Sequence, residues 1–223
     1  MQNALSHSIC GEELWLLPDK AVYWVSRKML ILADLHLGKS LHFQKSGFPV
    51  SSQVSQKDFV RLSLLLDTYP AERLLVLGDL FHSRENGDWD RFGEWLHSTG
   101  LVLELVKGNH DILPQDLYEK YGILIHQSTM TLAPFFFVHT PPEEKRIPKG
   151  LYALSGHVHP AVHLSGKARQ GLKLECFCFD KRQGILPAFG SFTGNEMVDK
   201  NDFEKVFVIA GTSVIELPAQ NPR

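Results

Sequence analysis

LVLELVKGNHD, residues 101–111, is an apolar run that ends in a glycine, an amide, an imidazole and a carboxylate. These last four residue types add little to a hydrophobic core. One interpretation is a plain turn, in which Gly108 supplies a positive φ and Asn109 and Asp111 bond their own backbone. The other is a strand that delivers polar side chains to a site at its end, and the rest of the chain bears on the choice.

Two earlier runs have the same design, because KMLILAD ends at Asp34 and ERLLVLGD ends at Asp79. Between the three runs lie two segments, 52–70 and 88–100, whose apolar residues recur at helical spacing. The order strand, helix, strand, helix, strand predicts βαβ units with buried, mostly parallel strands.

The sequence pattern changes after about Leu124, where short apolar runs follow one another without long helical segments between them. Closely spaced runs of this kind predict hairpins and a second sheet. No linker rich in serine, proline or charge marks the change, so we expect a single α/β domain over residues 1–223 that contains both sheets.

The composition limits the possible classes of protein. Apolar residues make up 43% and charged residues 22% of the 223 residues, as in a globular protein. No apolar run is long enough to span a membrane and the N-terminus has no secretion signal, which predicts a cytoplasmic protein without a membrane partner. The net charge of -2 gives no footprint for tight nonspecific DNA binding, although a metal site can supply positive charge locally.

Three cysteines in a chain without a secretion signal argue against a disulfide framework. Cys176 and Cys178 are two residues apart in LKLECFCFD, where alternation puts both side chains on one face of a strand. A buried strand face is the favoured interpretation, and a metal-binding pair is the alternative.

Polar residues occupy the ends of five apolar runs, where ligands bind in open α/β sheets. They are Asp34 and His36, Asp79 and His82, Asn109 with His110 and Asp111, His139, and His157 with His159. Any one set could be structural, as a helix cap or a satisfied core histidine, but five separate structural roles explain the whole poorly. Aspartate, asparagine and imidazole suit divalent Mn, Fe or Zn, and there are enough ligands for two ions, which together clamp a phosphoryl group and activate water.

The ordered motifs D-x-H, G-D-x-x-H, G-N-H-D, H and G-H-x-H resemble those of the calcineurin-like binuclear metallophosphoesterases. That resemblance implies a four-layer α/β/β/α sandwich with two mixed sheets. Segments 33–50, 75–83, 156–162 and 186–194 are also similar to the bacterial DNA ligase-associated metallophosphoesterases, whose genes accompany those of a DNA ligase and a helicase.

The resemblance also implies a role for each matching residue. One metal ion would be held by Asp34, His36 and His159, the other by Asn109, His139 and His157, with Asp79 bridging both. His110 would contact the phosphoryl oxygen and assist the leaving group, and Asp111 would orient His110. The histidine of the fourth motif is followed by Thr140, where many members have glycine.

The reaction that we expect is in-line attack by a metal-bridging hydroxide on a phosphate ester, with two divalent ions, Mn favoured over Fe or Zn. The narrower resemblance implies a phosphodiesterase or nuclease in DNA repair, with a DNA ligase and a helicase as functional partners. Lys39 and His42 beside the first motif, together with His82, are candidates for contact with substrate, and an exposed polar loop is the alternative for the first two.

Two other functions remain open. One is hydrolysis of a small substrate such as a cyclic nucleotide, a dinucleotide or a phosphomonoester. The other is an interaction module without catalysis, which predicts eroded ligand positions, whereas all seven positions are intact here.

Overall fold

The computed structural model describes residues 4–37, 53–81, 87–165, 171–191 and 193–218. Seven strands of these residues form the first sheet, in chain order across the sheet. They are β1 (Leu5–Ile9), β2 (Glu12–Leu17), β3 (Ala21–Trp24), β4 (Met29–Leu32), β5 (Arg73–Leu77), β6 (Val102–Val106) and β7 (Leu124–His126). Strands β1 to β4 pair antiparallel and β4 to β7 pair parallel, so the predicted βαβ units form one half of a mixed sheet.

Both helices predicted between the parallel strands are confirmed. They are α1 (Gln53–Thr68) and α2 (Gly87–Thr99), and a short α3 (Gln115–Lys120) precedes β7. The helices cover one face of the first sheet because their apolar stripes are buried against it. Leu62 and Leu65 of α1, Phe92 and Leu96 of α2, and Tyr118 of α3 belong to one core with Leu74 and Val76 of β5.

The second sheet contains nine strands of the described residues. They are β8 (Thr129–Leu132), β9 (Phe135–Val138), β10 (Tyr152–Ser155), β11 (Pro160–Ser165), β12 (Gly171–Phe179), β13 (Gln183–Ile185), β14 (Glu196–Met197), β15 (Lys205–Ala210) and β16 (Ser213–Glu216). Strand β10 is parallel to β9 and to β13, whereas β8–β9, β11–β12 and β15–β16 are antiparallel pairs. The second sheet of short strands is therefore confirmed, and it too is mixed.

The two sheets pack face to face. Ile31 and Leu75 from the first sheet share a buried core with Phe137, Leu154 and Phe177 from the second. The α/β class with two mixed sheets is thus confirmed. That both sheets form a single domain stays a prediction, which the shared core supports.

The outer face of the second sheet has its own apolar layer. Cys176 and Cys178 lie there side by side, buried, with their Sγ atoms 3.6 Å apart, as expected for two residues on one strand face. Phe203 packs on this layer just after a 3-10 turn at Lys200–Asp202, so in the described residues this face is covered by turn and loop.

None of the helices found in the described ranges is both long enough and apolar enough to cross a membrane.

Candidate metal centre

The predicted ligands lie where strands of both sheets end. Asp34 follows β4, Asp79 follows β5, Asn109 follows β6, His139 follows β9 and His157 follows β10. Backbone hydrogen bonds continue between the segments beyond the strand ends, from Asp34 N to Gly78 O (3.1 Å) and from His36 N to Asp79 O (2.9 Å). These bonds hold the loops, and therefore the ligands, in register with the sheets.

Five of the predicted ligands have backbones in the left-handed region, which side chains other than glycine rarely adopt. The φ angles are 53° for Asp34, 49° for His36, 52° for Asp79, 70° for His157 and 53° for His159. Each such residue costs about 1–3 kcal/mol and persists where the surroundings over-determine it, most often at functional sites. This conformation also explains how residues two apart in sequence can face one cavity.

Glycines let the loops approach one another closely. A Cβ on Gly156 would lie 2.5 Å from both the Asp34 carboxylate and the Ala33 side chain. A Cβ on Gly78 would overlap the ring of His139, and one on Gly108 would overlap Asp79. The glycines of the motifs therefore leave space for the ligands.

One group able to hold a metal ion consists of Asp34, His36 and His159, whose ligand atoms all lie within 4.8 Å of one another. Nε2 of His159 is 3.3 Å from Oδ1 of Asp34. Asp34 and His36 are buried and His159 is half-buried, so the group reaches solvent at His159.

A second group shares Asp34 and adds Asp79 and His139, all three buried. His157 reaches it through its ring, because its Nδ1 lies 3.0 Å from Nε2 of His139. The Asp79 carboxylate faces both groups, with Oδ2 3.5 Å from Nε2 of His36 and Oδ1 3.7 Å from Nε2 of His139.

Backbone carbonyls fix the tautomers of two ligand histidines. Nδ1 of His139 lies 2.9 Å from the carbonyl of Leu77, and Nδ1 of His159 lies 2.9 Å from the carbonyl of Gly194. A carbonyl only accepts, so Nδ1 donates in both rings and Nε2 is the nitrogen that faces the neighbouring ligands, His157 for His139 and Asp34 for His159. This is the arrangement by which proteins present a neutral imidazole to a metal ion.

Asp34 provides the test of whether a cation fits. Its Oδ2 accepts a 2.8 Å hydrogen bond from the backbone N–H of His157. Its Oδ1 is buried, with no hydrogen-bond partner. A buried carboxylate oxygen without a donor is costly, and a divalent cation shared with the neighbouring imidazoles removes that cost. The donor set therefore suits a hard or borderline divalent ion.

Asp111 joins the loops that carry Asp79 and Asn109. Its carboxylate accepts hydrogen bonds from the backbone N–H groups of Gly108 (2.8 Å), Asp79 (2.8 Å) and Leu80 (3.0 Å). Burial raises the pKa of Asp111 to about 6, and the nearby Asp79 carboxylate adds to the shift, while the backbone donors oppose it. The contacts described here position loops, and a direct contact from Asp111 to the ring of His110 stays a prediction.

His110 and Asn109 are exposed at the rim of the site. The backbone N–H of His110 donates a 2.9 Å hydrogen bond to Oδ1 of Asp79, and its ring centroid is 5.2 Å from that of His36. The structure thus brings His110 beside the ligand groups. The three substrate candidates Lys39, His42 and His82 lie outside the described residues.

Sequence reasoning missed an anchor on α1. The buried Asp58 accepts hydrogen bonds from Ser191 N (2.9 Å) and from Arg61 Nη2 (3.0 Å). Arg61 also donates to the carbonyl of Phe189. Gly190 N in turn donates to Asp34 O at 3.0 Å, so the loop is held between the helix and the first motif. The resemblance marked segment 186–194, but nothing in the sequence marked Asp58.

A scan of protein families and a search of curated proteins found no match to this chain. Among solved structures, the crystal structure of nuclease MPE from Pseudomonas putida is similar, with 30% sequence identity, a TM-score of 0.80, and coverage of 96% of this chain and 100% of that chain. A protein of unknown function from Aquifex aeolicus is 17% identical, with a TM-score of 0.42 and coverage of 84% of this chain and 94% of that one.

Proposed function

Because the chain belongs to the metallophosphoesterase family of Pseudomonas putida nuclease MPE, we propose that it is a metal-dependent phosphodiesterase that hydrolyses nucleic acid. The likeness supports a phosphoesterase or nuclease as the general class. The reaction, the metal ions and the roles of individual residues are the proposal.

The observation that carries the proposal is the pair of ligand groups that share Asp34, one oxygen of which is buried without a donor. Two divalent ions bound there would neutralise charge on a phosphate ester and activate water. We propose Mn²⁺ for both, with Fe and Zn as the alternatives that the same ligand types allow.

The ligands divide into two sets under this proposal. Asp34, His36 and His159 hold one ion, Asn109, His139 and His157 hold the other, and Asp79 bridges them. The distances from the two oxygens of Asp79 to His36 and His139 support the bridging role. In both His139 and His159 a backbone carbonyl engages Nδ1 and leaves Nε2 turned toward the other ligands, which supports their assignment.

His110 has the position expected of the group that serves the leaving alcohol. It is exposed beside the ligands, and its backbone is fixed by Asp79. When water attacks phosphorus and the P–O ester bond breaks, the departing alkoxide takes a proton from His110, and the proton lost by the attacking water passes to solvent, from which His110 is protonated again. Asp111 acts as a positioning residue, because its carboxylate holds the loop of His110 against the loop of Asp79.

The substrate that we propose is a nucleic-acid phosphodiester, since the similar protein is a nuclease. The resemblance of segments 33–50 and 186–194 to ligase-associated phosphoesterases extends the proposal to DNA repair alongside a DNA ligase and a helicase. Co-purification of a ligase or helicase with the tagged chain tests that extension separately from the chemistry.

Hydrolysis of a bis-aryl phosphodiester and of an aryl phosphomonoester, each with Mn²⁺ and with excess chelator, tests the chemistry. We expect diester turnover that the chelator abolishes, followed by cleavage of labelled DNA or RNA strands. A preference for the monoester would instead favour the small-substrate hydrolase. Absence of turnover on both compounds and on nucleic acid, with metal bound, would contradict a hydrolase and favour an interaction module.

A further inference from the structure

A cavity of about 710 Å³ opens at the end of the second sheet opposite the metal centre. Tyr152, the first residue of β10, lines it, whereas His157 lies beyond the last residue of the same strand. Four residues of strand cover about 10 Å. The cavity is therefore separate from the ligand groups, and only a long substrate that passes over the surface could occupy both.

The lining of this cavity is basic. Among the described residues it includes five cationic side chains and no acidic one. They are Lys145, Arg146, Lys149, Lys181 and Arg182. The whole chain has a net charge of -2, so this concentration of positive charge is a local feature. Basic side chains gathered in this way are the electrostatic footprint of a polyanion site.

Asp180 and Glu204 act on Tyr152 at one side of the cavity. Glu143 is the carboxylate that forms ion pairs with the lining cations in the described residues. Glu143 pairs with Lys145 (2.6 Å) and Arg146 (3.8 Å), but all three side chains are exposed, and such surface pairs are weak. Within the described ranges, no carboxylate forms an ion pair with Lys149 or Lys181. A phosphate group can therefore compete for these cations.

Hydrogen bonds from Arg182 hold one wall of the cavity in place. Its guanidinium donates to the carbonyls of Ile147 (3.1 Å) and Pro148 (3.1 Å), which pins the loop between β9 and β10 onto the sheet. These partners are neutral, so the positive charge of Arg182 is retained. The same loop leaves the metal centre after His139 and arrives at the cavity before Tyr152. The loop between β9 and β10 thus connects the metal centre to the cavity along the chain.

We propose that this cavity binds the sugar-phosphate backbone of a polynucleotide whose scissile bond lies at the metal centre. The choice of a polynucleotide rests on the proposed function. Strand β10 is buried and the five residue steps from Tyr152 to His157 span about 16 Å, so a polynucleotide that reaches both sites runs over the surface and is longer than this distance. The cavity then favours strands over small diesters by holding phosphates away from the reacting one.

Binding of a fluorescein-labelled 20-nucleotide DNA strand to metal-free protein, in chelator and over a range of salt concentrations, tests the proposal without any turnover. The double variant Lys149→Glu/Lys181→Glu is compared with Lys173→Glu/Lys200→Glu, which changes the net charge equally outside the cavity. We expect only the first to weaken binding and to lower the salt slope, by about 0.7 for each of two lost phosphate contacts. Thermal unfolding confirms that both variants fold.

Equal affinity and equal salt slopes for the two double variants would overturn the proposal, as would no binding by the wild type. Inorganic phosphate that displaces the strand at the same concentration of phosphate groups would show a small-anion site instead. Because binding is measured without metal, a protein that binds DNA here but fails to hydrolyse diesters separates this proposal from the proposed function.

Cys10 offers a positional test because it is exposed and lines the cavity, while Cys176 and Cys178 are buried. An oligonucleotide with a bromoacetamide group on its backbone should alkylate Cys10, with loss of bromide from the reagent and formation of a thioether. We expect this product to diminish in Lys149→Glu/Lys181→Glu and to disappear in Cys10→Ser. Equal labelling in the charge variant would show that the strand does not occupy the cavity.

Discussion

Asp34 and His159 face each other across the candidate metal centre, with Oδ1 of Asp34 3.3 Å from Nε2 of His159. The carboxylate is 0% exposed and this oxygen has no hydrogen-bond donor, while the Nδ1–H of the imidazole donates to the carbonyl of Gly194. The buried Asp34 oxygen and the His159 nitrogen thus face the same space, an arrangement that a cation stabilises and that is costly for the carboxylate oxygen without one.

Removal of this carboxylate should abolish stabilisation by metal. For the wild type, Mn²⁺ at a hundredfold excess over Kd adds about 2.7 kcal/mol to the free energy of unfolding. For a chain of this size the gain raises Tm by about 5–10 °C. We expect Asp34→Asn to lose that rise, as measured by thermal unfolding with Mn²⁺ and with chelator. Asp67→Asn, an exposed carboxylate on α1, is the matched control, and a full rise in Asp34→Asn would remove Asp34 from the ligands.

Substitution of His110 should reduce turnover without loss of bound metal. We expect His110→Ala to keep its metal content, measured by atomic emission, and to lose about 10²- to 10⁴-fold in diester turnover. Asp79→Asn should instead lose metal. The exposed His163 of β11 provides the control variant His163→Ala, with metal content and turnover both retained. Unchanged turnover in His110→Ala would exclude it from catalysis.

The sequence predicted those helices and strands whose apolar spacing can be recognised within their own segment. Helices α1 and α2 followed from apolar residues at helical spacing, and the second sheet followed from closely spaced apolar runs. Strands β1 to β3 were not predicted, and two turns of their meander rely on positive φ at Cys10 (52°) and Lys20 (66°). Neither residue type signals that conformation, so the sequence did not mark these turns.

For the candidate site, the sequence indicated some of the residues that meet and gave no sign of others. Residue types at strand ends predicted that polar side chains such as Asp34, Asp79 and His139 meet, because parallel strands bring their carboxyl ends to one edge, whereas the division into two ligand sets came from the family resemblance and stays a prediction. Asp58 could not be identified, because it meets Ser191 from 133 positions away and sits among the ordinary polar residues of a helix. Positioning contacts of this kind depend on tertiary structure alone.

His7 should make stability sensitive to acid. Its ring centroid lies 4.7 Å from that of Phe179 and 4.9 Å from that of Phe207, and burial lowers its pKa below the usual 6.5, with Lys205 adding to the shift and Glu216 opposing it. The unfolded chain therefore binds this proton more readily. The contribution of neutral His7 to stability is complete above pH 6.5 and is lost as pH falls toward the folded-state pKa.

The effect of His7 can be isolated by measuring the thermal unfolding midpoint of the wild type and of His7→Phe. Both proteins are measured in chelator, at about pH 7.5 and at about pH 5.5. We expect a smaller fall on acidification in the variant, because phenylalanine keeps the aromatic contacts and has no proton to bind. His163→Phe should fall as the wild type does. Equal falls in all three proteins would show that His7 does not contribute.

The loop that supports Asp34 and His159 should tolerate a methyl group at one glycine and not at another. A Cβ on Gly190 would lie 2.6 Å from the carbonyl oxygen of Leu35 and 3.1 Å from that of Asp34, and backbone atoms cannot move aside cheaply. Gly190→Ala should therefore push the loop away from Asp34 and break the 3.0 Å hydrogen bond from Gly190 N. A Cβ on Gly194 would meet no heavy atom within 4 Å, and its carbonyl still accepts from His159.

Calorimetric titration with Mn²⁺ measures the difference directly. We expect Gly190→Ala to weaken metal affinity about 10- to 100-fold, the range seen when groups that orient metal ligands are disturbed, while Gly194→Ala binds as the wild type does. Circular dichroism at 25 °C checks that both variants are folded during the titration. If the two alanine variants bind Mn²⁺ equally, then segment 186–194 covers the site without orienting its ligands.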